Sequence, residues 1–453
     1  MAELMGRDFT PPDIYGKVTG RARYAEDFRR DGMVFCRLLT SPMPHARVRA
    51  VDASAALAMP GVAGILLPED VPEQEGVANN ILTYEPHFVG EPILAVAAVD
   101  ETTAQDAIAA IRLDLEPLEF CTDPLESLRP DGPDARADGN VIVRGEGMRT
   151  IKWTEADFEA AGEEQLPMGE PAVEWSYGDV EAGFAEAALV LDESFVTAST
   201  SHHSMEPRTA FAYWENGKCF LHGSCQSHTI ALPGIAELVG IETEDLVFIA
   251  EYCGGGFGSK GRGYPVMAIP AHFSRKIGRP VLMRISRAEE YCLGTARCGF
   301  QGRVRMGFRP DGRITAVDLY VVQESGSNGG GGDYTAAGAT VTIMYTPPAM
   351  RVRGISVVTN TPPRGPQRGP GQNQIACAVE PLLDKAARQL GVDPVALRRI
   401  NAPTHESLYD ADRRPITSAY LREALDLGAE RFGWEERRAR NGQRNGSKVT
   451  AVA

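Results

Sequence analysis

One stretch decides the fold of this chain: Cys253-Gly254-Gly255-Gly256-Phe257-Gly258-Ser259-Lys260. Four glycines around one phenylalanine expose a run of backbone N–H groups, and such a run suits an anion or an oxo ligand. The preceding segment, Leu246–Ala250, reads Leu-Val-Phe-Ile-Ala and is apolar enough for a buried strand. The glycines are therefore expected where a rigid element ends and can present chemistry.

The same glycines also satisfy a second pattern. Gly256 to Gly261 reads G-x-G-x-x-G after a strand, which is the fingerprint of a dinucleotide-binding loop. That fingerprint needs a helix opening at its third glycine, whereas here a helix can begin only near Pro265. A P-loop is excluded because Gly261, rather than serine or threonine, follows Lys260. An NAD-dependent dehydrogenase and a purely structural turn stay open as alternatives.

Charge and composition limit the partners of this chain. Its 453 residues carry a formal net charge of -15, which opposes attraction to nucleic acid and to an anionic membrane surface. No apolar run reaches the roughly eighteen residues of a membrane-spanning helix. The first residues also lack the hydrophobic region of a secretory signal. We therefore expect no nucleic-acid partner, no membrane partner and a cytoplasmic location.

The cysteine and histidine patterns predict no metal-ligating residue in this chain. The 8 cysteines are scattered without a C-x-x-C pair, so neither a zinc site nor an iron–sulfur cluster is encoded by them. Several histidines lack the close pairing with a carboxylate that catalytic zinc sites show, and we interpret them as packing or hydrogen-bonding residues: His202, His203, His222, His228 and His272.

Two units and a connecting segment are predicted along an α+β chain. Residues 13–125 alternate short apolar runs with helical ones, for example a strand at Ile93–Val99 and a helix at Ala104–Ile111. Residues 126–176 are rich in proline, glycine and charge without a sustained period, which indicates a linker or wrapping segment. Residues 177–453 form the second unit.

Helix signals are clearest in the second unit. Apolar residues fall on one face of Ile375–Leu390, and Gly391 ends that helix. The pair Asp393-Pro394 then opens another helix as its N-cap and first residue. A further amphipathic helix is predicted at Ser418–Phe432.

Two other segments of this unit are predicted to be irregular or incomplete. The glycine-rich segment Ser325–Gly338 is expected to be a surface loop. Val449–Ala453 begins an apolar strand, which would expose a sheet edge. We favour completion of this sheet by another polypeptide over a frayed tail.

Five motifs occur in an order that is typical of one family. The chain resembles the molybdopterin-binding subunit of the xanthine dehydrogenase family of molybdenum hydroxylases, and the similarity covers most of its length. The motifs that carry the resemblance are Tyr15-Gly16-Lys17-Val18-Thr19-Gly20-Arg21-Ala22-Arg23-Tyr24, Ser201-His202-His203-Ser204-Met205-Glu206-Pro207, Gly223-Ser224-Cys225-Gln226-Ser227-His228, the stretch from Cys253 to Lys260, and Thr359-Asn360-Thr361-Pro362-Pro363 with Gln367-Arg368-Gly369-Pro370-Gly371-Gln372.

The resemblance implies a fold and a set of cofactor-binding residues. An N-terminal α/β hammerhead domain, residues 13–125, precedes a molybdenum-cofactor-binding α+β domain, residues 177–453. Gln226 is implied to donate its side-chain amide toward an oxygen on molybdenum. The backbone N–H of Phe257, presented by Gly255, Gly256 and Gly258, is implied to do the same. Arg368 lies where the family supplies another backbone contact to the cofactor.

Departures from the family pattern restrict the implied substrates. Members that oxidise purines carry an acidic residue where this chain has Gly261 and a phenylalanine in the segment of Pro370. Carbon monoxide dehydrogenases place a copper-binding cysteine where Gly369 follows Arg368. The resemblance therefore implies a hydroxylase that oxidises an aldehyde or an N-heteroaromatic substrate, with water as the oxygen source.

The family's molybdenum subunit normally continues well beyond the length of this chain and carries its catalytic glutamate there. We therefore expect the N-terminal half of a split or truncated subunit, with no catalytic residue of its own. The base is expected on a second molybdopterin-subunit chain. The expected cofactors are a molybdopterin, as its cytosine dinucleotide, with molybdenum here, and [2Fe-2S] clusters and FAD on an iron–sulfur subunit and an FAD subunit. A non-catalytic cofactor-holding module stays open.

Overall fold

The computed structural model describes residues 6–72, 80–143 and 145–452. Strands from distant parts of the chain build its two large sheets. In chain order the strands are β1 (Val34–Thr40), β2 (Ala46–Asp52), β3 (Val62–Leu66), β4 (Pro92–Ala98), β5 (Arg112–Pro117), β6 (Val141–Val143), β7 (Gly147–Arg149), β8 (Val173–Tyr177), β9 (Leu189–Thr197), β10 (Thr209–Glu215), β11 (Lys218–Gly223), β12 (Leu246–Ile249), β13 (Val281–Arg284), β14 (Gly299–Phe308), β15 (Ile314–Glu324), β16 (Met350–Val357), β17 (Leu408–Tyr409), β18 (Arg414–Pro415), β19 (Arg444–Asn445) and β20 (Lys448–Val449).

Helices fill the connections and cover the sheets. Short 3₁₀ turns also occur at Ala25–Asp27, Pro68–Asp70 and Thr243–Asp245. The helices are α1 (Ile14–Val18), α2 (Ser54–Leu57), α3 (Glu101–Ala110), α4 (Pro124–Ser127), α5 (Glu155–Glu159), α6 (Val180–Ala185), α7 (His228–Val239), α8 (Pro265–Ile277), α9 (Arg287–Leu293), α10 (Asp333–Tyr345), α11 (Gln372–Leu390), α12 (Pro394–Asn401), α13 (Leu421–Phe432) and α14 (Trp434–Arg438).

The first large sheet joins the two predicted units. Its strand order is β12-β11-β10-β13-β1-β4-β3, so strands from the first 100 residues continue a sheet built from residues 209–284. The junction is the parallel pairing of β1 with β13, in which Val34 lies opposite Val281. Helix α8 packs on this sheet, and its apolar side chains, together with those of β1 and β10, form the largest buried cluster. The hydrophobic contacts therefore do not stop at the predicted domain boundary.

The topology of this sheet brings three loops together. Strands β11 and β12 are parallel, with His222 opposite Ile249, so the loops that follow them leave the sheet at the same end. Strand β10 runs antiparallel to β11, with Ala210 opposite Gly223, so the segment that enters β10 lies at that end too. The motifs around Glu206, Gln226 and Phe257 are placed side by side in this way.

The second large sheet includes strands from the segment predicted to be a linker. Its order is β7-β6-β16-β15-β14-β9, and β8 also pairs with β16. The segment 126–176 thus supplies short strands that pair with β16, for example Trp175 opposite Val352. Helices α10 and α11 pack beside this sheet and bury its apolar residues.

Several predicted elements are confirmed with small shifts at their ends. Strand β4 and helix α3 occupy the predicted strand and helix of the first unit. Helix α11 begins three residues before the predicted Ile375 and is capped by Gly391 in the left-handed conformation. The Asp393 side chain accepts hydrogen bonds from the first N–H groups of α12, as predicted.

Other predictions need correction. The predicted loop Ser325–Gly338 ends at Gly332, and Asp333 begins α10. The predicted buried strand before the glycines is β12, which lies at the edge of its sheet and is mostly half-buried. The predicted strand from Val449 is only β20, which pairs with β19 in an exposed two-stranded hairpin. Ala453, at its end, lies outside the described residues.

The apolar face of helix α13 is also less covered than its pattern indicates. No residue of Leu421–Phe432 is fully buried. Among the described helices, none combines the length and the apolar character that crossing a membrane requires.

Candidate cofactor-binding site

The loop after β12 has an unusual backbone. Its φ angles are +102° at Gly255, +54° at Phe257 and +119° at Gly258, all in the region that disfavours side chains. The backbone N–H groups of Gly255, Gly256 and Phe257 donate to no acceptor within the described part of the chain. Successive unpaired N–H groups form a concave donor surface that binds negative charge. The loop therefore has the property predicted from its glycines.

Gln226 is fixed against this loop by one end of its carboxamide. Its Oε1 accepts hydrogen bonds from the N–H groups of Gly258 at 2.9 Å and Lys260 at 3.1 Å. Its backbone N–H donates to the Lys260 carbonyl at 2.9 Å. The Nε2 group has no acceptor among the described residues, so it is available as a donor beside the free backbone N–H groups. The structure thus brings Gln226 and Phe257 into one donor set.

The close contacts of this loop with its neighbours require glycine at positions 256 and 258. A Cβ atom on Gly256 would lie 2.2 Å from Gln226 Oε1, and a Cβ atom on Gly258 would lie 2.2 Å from the carbonyl oxygen of Pro366. Phe257 itself is exposed for 48% of its surface and projects away from the core. The loop is therefore packed on its inner side and open on its outer side.

A buried polar network supports the loop from below. The Lys260 ammonium donates to the Glu206 carbonyl oxygen at 2.6 Å and to Ser224 Oγ at 2.8 Å. Glu206 Oε2 accepts from Ser224 Oγ and from the Gly254 N–H, both at 2.6 Å. Burial lowers the pKa of Lys260, with the Glu206 charge acting in the opposite direction. The network ties the three loops at the end of the sheet into one rigid unit.

A second buried pair lies next to this network. The Arg208 guanidinium donates to the carboxylate of Glu290, and its other terminal nitrogen donates to the Ser259 carbonyl at 2.7 Å. Arg208 is 1% exposed and lies 4.8 Å from the centre of the Tyr264 ring. The Arg208 N–H donates to the same carboxylate at 2.7 Å. These contacts hold the end of the glycine loop in place.

Arg368 and Phe257 lie next to each other and both line an open cleft of about 470 Å³. The Arg368 backbone N–H donates to the Phe257 carbonyl oxygen at 2.8 Å, so in this structure that N–H is used within the protein. His202 also lines the cleft, and its Nε2 donates to the Pro366 carbonyl at 3.0 Å. Burial lowers the pKa of His202.

Arg297 shapes the loop that carries Arg368. Its guanidinium donates to the carbonyl oxygens of Arg368 at 2.6 Å and Gly369 at 2.9 Å. It also donates to the side-chain oxygens of Gln367 and Gln374, each at 3.0 Å. Arg297 is only 6% exposed, so this loop is fixed by a buried charge.

The sequence interpretation missed Lys260, Ser224 and Arg297 as organising residues. Lys260 was visible as the last residue of the glycine stretch, but its partners come from loops that only the sheet topology joins. Arg297 belongs to no motif, and nothing in its sequence neighbourhood indicates its contacts. Glu206, which belongs to the motif Ser201 to Pro207, has a structural role here through Oε2.

The dinucleotide alternative is not favoured by this geometry. No helix opens at Gly261, because α8 begins at Pro265. The N–H groups of Gly258 and Lys260 are already bound by Gln226. The donors that stay free belong to Gly255, Gly256 and Phe257, which precede the third glycine of the fingerprint.

The donor set fits a molybdopterin-bound metal with oxygen ligands. Gly255, Gly256 and Phe257 offer backbone N–H groups, and Gln226 offers Nε2, all as fixed dipoles that require no rearrangement to meet negative charge. The side chain of Ser204 has a buried Oγ without a partner in the described part of the chain, and its Cβ lies 3.4 Å from where a Gly255 Cβ would be. Such an orphaned polar atom beside the free N–H groups is consistent with a polar ligand.

Two family models match most of this chain. A model described as "Molybdopterin cofactor-binding domain" matches residues 163–402. A second, described as "Aldehyde oxidase and xanthine dehydrogenase, a/b hammerhead domain", matches residues 19–119. The first match covers more than half of the 453 residues and includes all residues of the donor set.

Curated relatives and solved structures agree with these models. The chain is 28% identical to the xanthine dehydrogenase molybdenum-binding subunit of Escherichia coli O157:H7. The alignment has 470 positions and covers 97% of this chain and 58% of that protein. It is 27% identical to the nicotinate dehydrogenase large molybdopterin subunit of Eubacterium barkeri over 88% of this chain and 89% of the relative. The solved aldehyde oxidoreductase from Desulfovibrio gigas superposes with a TM-score of 0.80 and 24% identity over 95% of this chain and 47% of that chain, which shows the fold.

The order of domains expected from the resemblance is thereby confirmed: a hammerhead domain precedes a cofactor-binding domain. The chain spans 58% of the Escherichia coli relative and therefore corresponds to a little over half of it. This chain belongs to the molybdopterin cofactor-binding domain family, with the a/b hammerhead domain of aldehyde oxidases and xanthine dehydrogenases preceding that domain.

Proposed function

We propose that this chain is the molybdenum-cofactor-binding part of a multi-subunit hydroxylase that oxidises an aldehyde or an N-heteroaromatic compound with water as the oxygen source. One observation carries the proposal: three consecutive unpaired backbone N–H groups, of Gly255, Gly256 and Phe257, lie beside the free Nε2 of Gln226. Relatives named molybdenum-binding or molybdopterin subunits support it.

The bound cofactor would supply the redox chemistry, in which a substrate carbon is oxidised by two electrons at the metal. The residues of this chain position that cofactor. Gln226 and Phe257 would donate hydrogen bonds to oxygen ligands, and the cleft beside Arg368 would admit part of the cofactor or the substrate. The cytosine dinucleotide form of the pterin is proposed from the same resemblance. Arg368 is retained as a proposed contact even though its N–H is bound to Phe257.

We also propose partner chains. A second molybdopterin-subunit chain carries the catalytic glutamate, and iron–sulfur and FAD subunits receive the electrons. Support comes from the nicotinate dehydrogenase large molybdopterin subunit, of whose length this chain covers 89%. The domain ranges 13–125, 126–176 and 177–453, and a cytoplasmic location, stay predictions that proteolysis and cell fractionation can test.

Metal analysis of the assembled complex tests the proposal most directly. The chain is purified with its co-expressed partners, and molybdenum, tungsten, iron, flavin and released nucleotide are measured by mass spectrometry. We expect about one molybdenum per chain, with cytidine monophosphate released on hydrolysis. Bound NAD with neither molybdenum nor tungsten would overturn the proposal.

A variant pair connects the metal content to the loop. Gly256→Val introduces a Cβ at 2.2 Å from Gln226 Oε1, so we expect it to abolish molybdenum retention. Gly234→Ala is the matched control, because its Cβ meets no atom within 4 Å, and we expect normal molybdenum content. Equal molybdenum content in both variants would contradict the assignment of the site.

The substrate class needs a separate assay. The assembled complex is offered an aromatic aldehyde, nicotinate and hypoxanthine, with an artificial electron acceptor. We expect turnover of the aldehyde or of nicotinate and none of hypoxanthine, because Gly261 supplies no acidic side chain. Turnover of hypoxanthine alone would refute the substrate class while leaving cofactor binding intact.

A further inference from the structure

A cluster of three side chains lies outside the cofactor site, in the first unit. His45 precedes β2, while Glu85 and His87 belong to the segment that leads into β4. Each offers one ligand atom, and these three atoms all lie within 4.8 Å of one another. All three residues are half-buried. Neither the sequence motifs nor the family models assign a role to this group.

The orientation of His45 leaves one nitrogen free to bind. Its Nδ1 lies 2.6 Å from the carbonyl oxygen of Glu119, so Nδ1 carries the proton and donates it. The other nitrogen, Nε2, then has an available lone pair, and it is buried without a hydrogen-bond partner in the described residues. A ring nitrogen that donates to a carbonyl while its partner nitrogen is free is the arrangement of a metal-binding histidine.

The two carboxylate oxygens of Glu85 have different surroundings. Its Oε2 accepts hydrogen bonds from two nitrogens of the Arg47 guanidinium, from Nε at 3.1 Å and from one terminal nitrogen at 3.0 Å. Its Oε1 accepts no hydrogen bond from the described residues and lies 3.7 Å from His45 Nε2. That separation is too long for a hydrogen bond. The Arg47 guanidinium also lies 3.7 Å from a carboxylate oxygen of Glu116, which offsets its positive charge.

His87 completes the group. Its ring is stacked on that of His45 with the centroids 4.8 Å apart. Coordination of a metal requires the unprotonated form of each imidazole.

Hydrogen bonds to main-chain groups fix the positions of the segments that carry these three residues. The Ala46 N–H donates to the Pro86 carbonyl at 3.1 Å, which joins the segment of Glu85 and His87 to the start of β2. The buried Asn360 donates from Nδ2 to the His87 carbonyl at 3.0 Å. The three side chains are therefore presented by a rigid backbone.

Two imidazole nitrogens and one carboxylate oxygen are a ligand set typical of zinc, with bond lengths of about 2.0 to 2.2 Å. Ligand atoms at those distances in a tetrahedron are separated by roughly 3.3 to 3.6 Å. The 3.7 Å between His45 Nε2 and Glu85 Oε1 is close to this value, and all three ligand atoms lie within 4.8 Å of one another.

We propose that His45, Glu85 and His87 bind a zinc ion that fastens the segment before β4 to the start of β2. The fourth position of the tetrahedron is open to water. The proposal does not depend on the molybdenum cofactor, because the cluster and the glycine loop share no residue.

Zinc titration of the purified chain tests this site. The complex or full chain is treated with a chelator, and binding of zinc chloride is followed by calorimetry. Cobalt(II) is added in a parallel experiment, because a tetrahedral site gives it a visible absorption band. We expect one zinc per chain, a raised Tm with zinc, and at least a 100-fold weaker affinity in His87→Gln.

Two further variants complete the test. His405→Gln changes an exposed histidine elsewhere and should leave zinc affinity unchanged. Glu85→Gln keeps the shape of the side chain and should weaken zinc binding even if His87→Gln does not fold. Absence of stoichiometric zinc binding in the wild-type chain, or equal affinity in wild type, His87→Gln and Glu85→Gln, would overturn the proposal.

Discussion

At the scale of single residues, Gln226 shows how one carboxamide serves two purposes. Its Oε1 binds the N–H groups of Gly258 and Lys260, while its Nε2 is free to face a ligand. Removing the whole side chain therefore changes the loop as well as the donor. Replacing only the donating end separates the two roles.

We predict different outcomes for Gln226→Glu and Gln226→Ala, on the basis of the proposed function. Glu keeps an oxygen for the two N–H groups but cannot donate, so turnover of the assembled complex should fall by about 10²- to 10³-fold with little change in Tm. Ala should lower turnover and also lower stability, by about 0.5 to 1.5 kcal/mol for each lost hydrogen bond. Steady-state kinetics and thermal unfolding measure both. Unchanged turnover in Gln226→Glu would contradict the donor role.

Glu91 is a buried carboxyl that makes stability depend on pH. It is 5% exposed, and its Oε2 accepts the His87 N–H at 2.5 Å. Burial raises its pKa to about 7 from an ordinary value of 4.5. The folded chain therefore binds this proton more tightly than the unfolded chain. Its stabilising contribution is fully present below pH 4.5 and is lost as pH rises through 7.

We predict that Glu91→Gln removes this pH dependence. Relative to wild type, the variant should gain unfolding free energy between pH 4.5 and 8, by up to about 3 kcal/mol. Urea unfolding at pH 5.5, 7 and 8 measures the difference. Glu163→Gln, at an exposed position, is the control and should show the same pH profile as wild type. A constant difference between Glu91→Gln and wild type would contradict the prediction.

At the scale of elements, periodic segments were predictable and short paired ones were not. Helix α11 was found because an apolar stripe and a terminal glycine are local signals. Strands β6 and β8 were missed because three to five residues are too short a pattern to indicate a strand, and they become strands only through pairing with the distant β16. Helix α10 was partly assigned to a loop because four glycines precede it.

The candidate site follows the same division. The glycine loop, Gln226 and Arg368 belong to recognisable motifs, and the structure places Phe257 beside both others. The supports of the loop come from three segments that meet only after the sheet has formed. Sequence patterns therefore indicated the donors and not the residues that hold them.

The end of α11 gives a prediction at this scale. Gly391 has φ +70°, and a Cβ there would meet no atom within 4 Å, so the cost of Gly391→Ala comes from the backbone alone. We expect a loss of about 1 to 2 kcal/mol in unfolding free energy. Gly428→Ala, inside α13, also meets no atom, and it should gain about 0.5 to 1 kcal/mol. Equal signs for the two variants in chemical denaturation would contradict this account.

At the scale of the whole molecule, the hammerhead segment and the cofactor-binding segment share one sheet. Strand β1 pairs with β13, so the strands that present the glycine loop are continuous with strands of the first unit. The proposed zinc site lies on the first unit, and the donor set lies on the cofactor-binding segment. Contacts between the segments therefore belong to the architecture that positions the cofactor.

Asn360 is the clearest of these contacts and carries the last prediction. It is 2% exposed, and its Oδ1 accepts the Cys121 N–H at 2.9 Å while its Nδ2 donates to the His87 carbonyl at 3.0 Å. Asn360→Ala leaves buried backbone groups of the first unit unpaired, at about 1 to 3 kcal/mol each. We expect a loss of roughly 3 kcal/mol in urea unfolding, with faster hydrogen exchange around His87. Asn445→Ala, in the exposed hairpin, should change neither quantity. If both variants unfold alike, the prediction is wrong, because water then replaces the hydrogen bonds of the Asn360 side chain without a loss of stability.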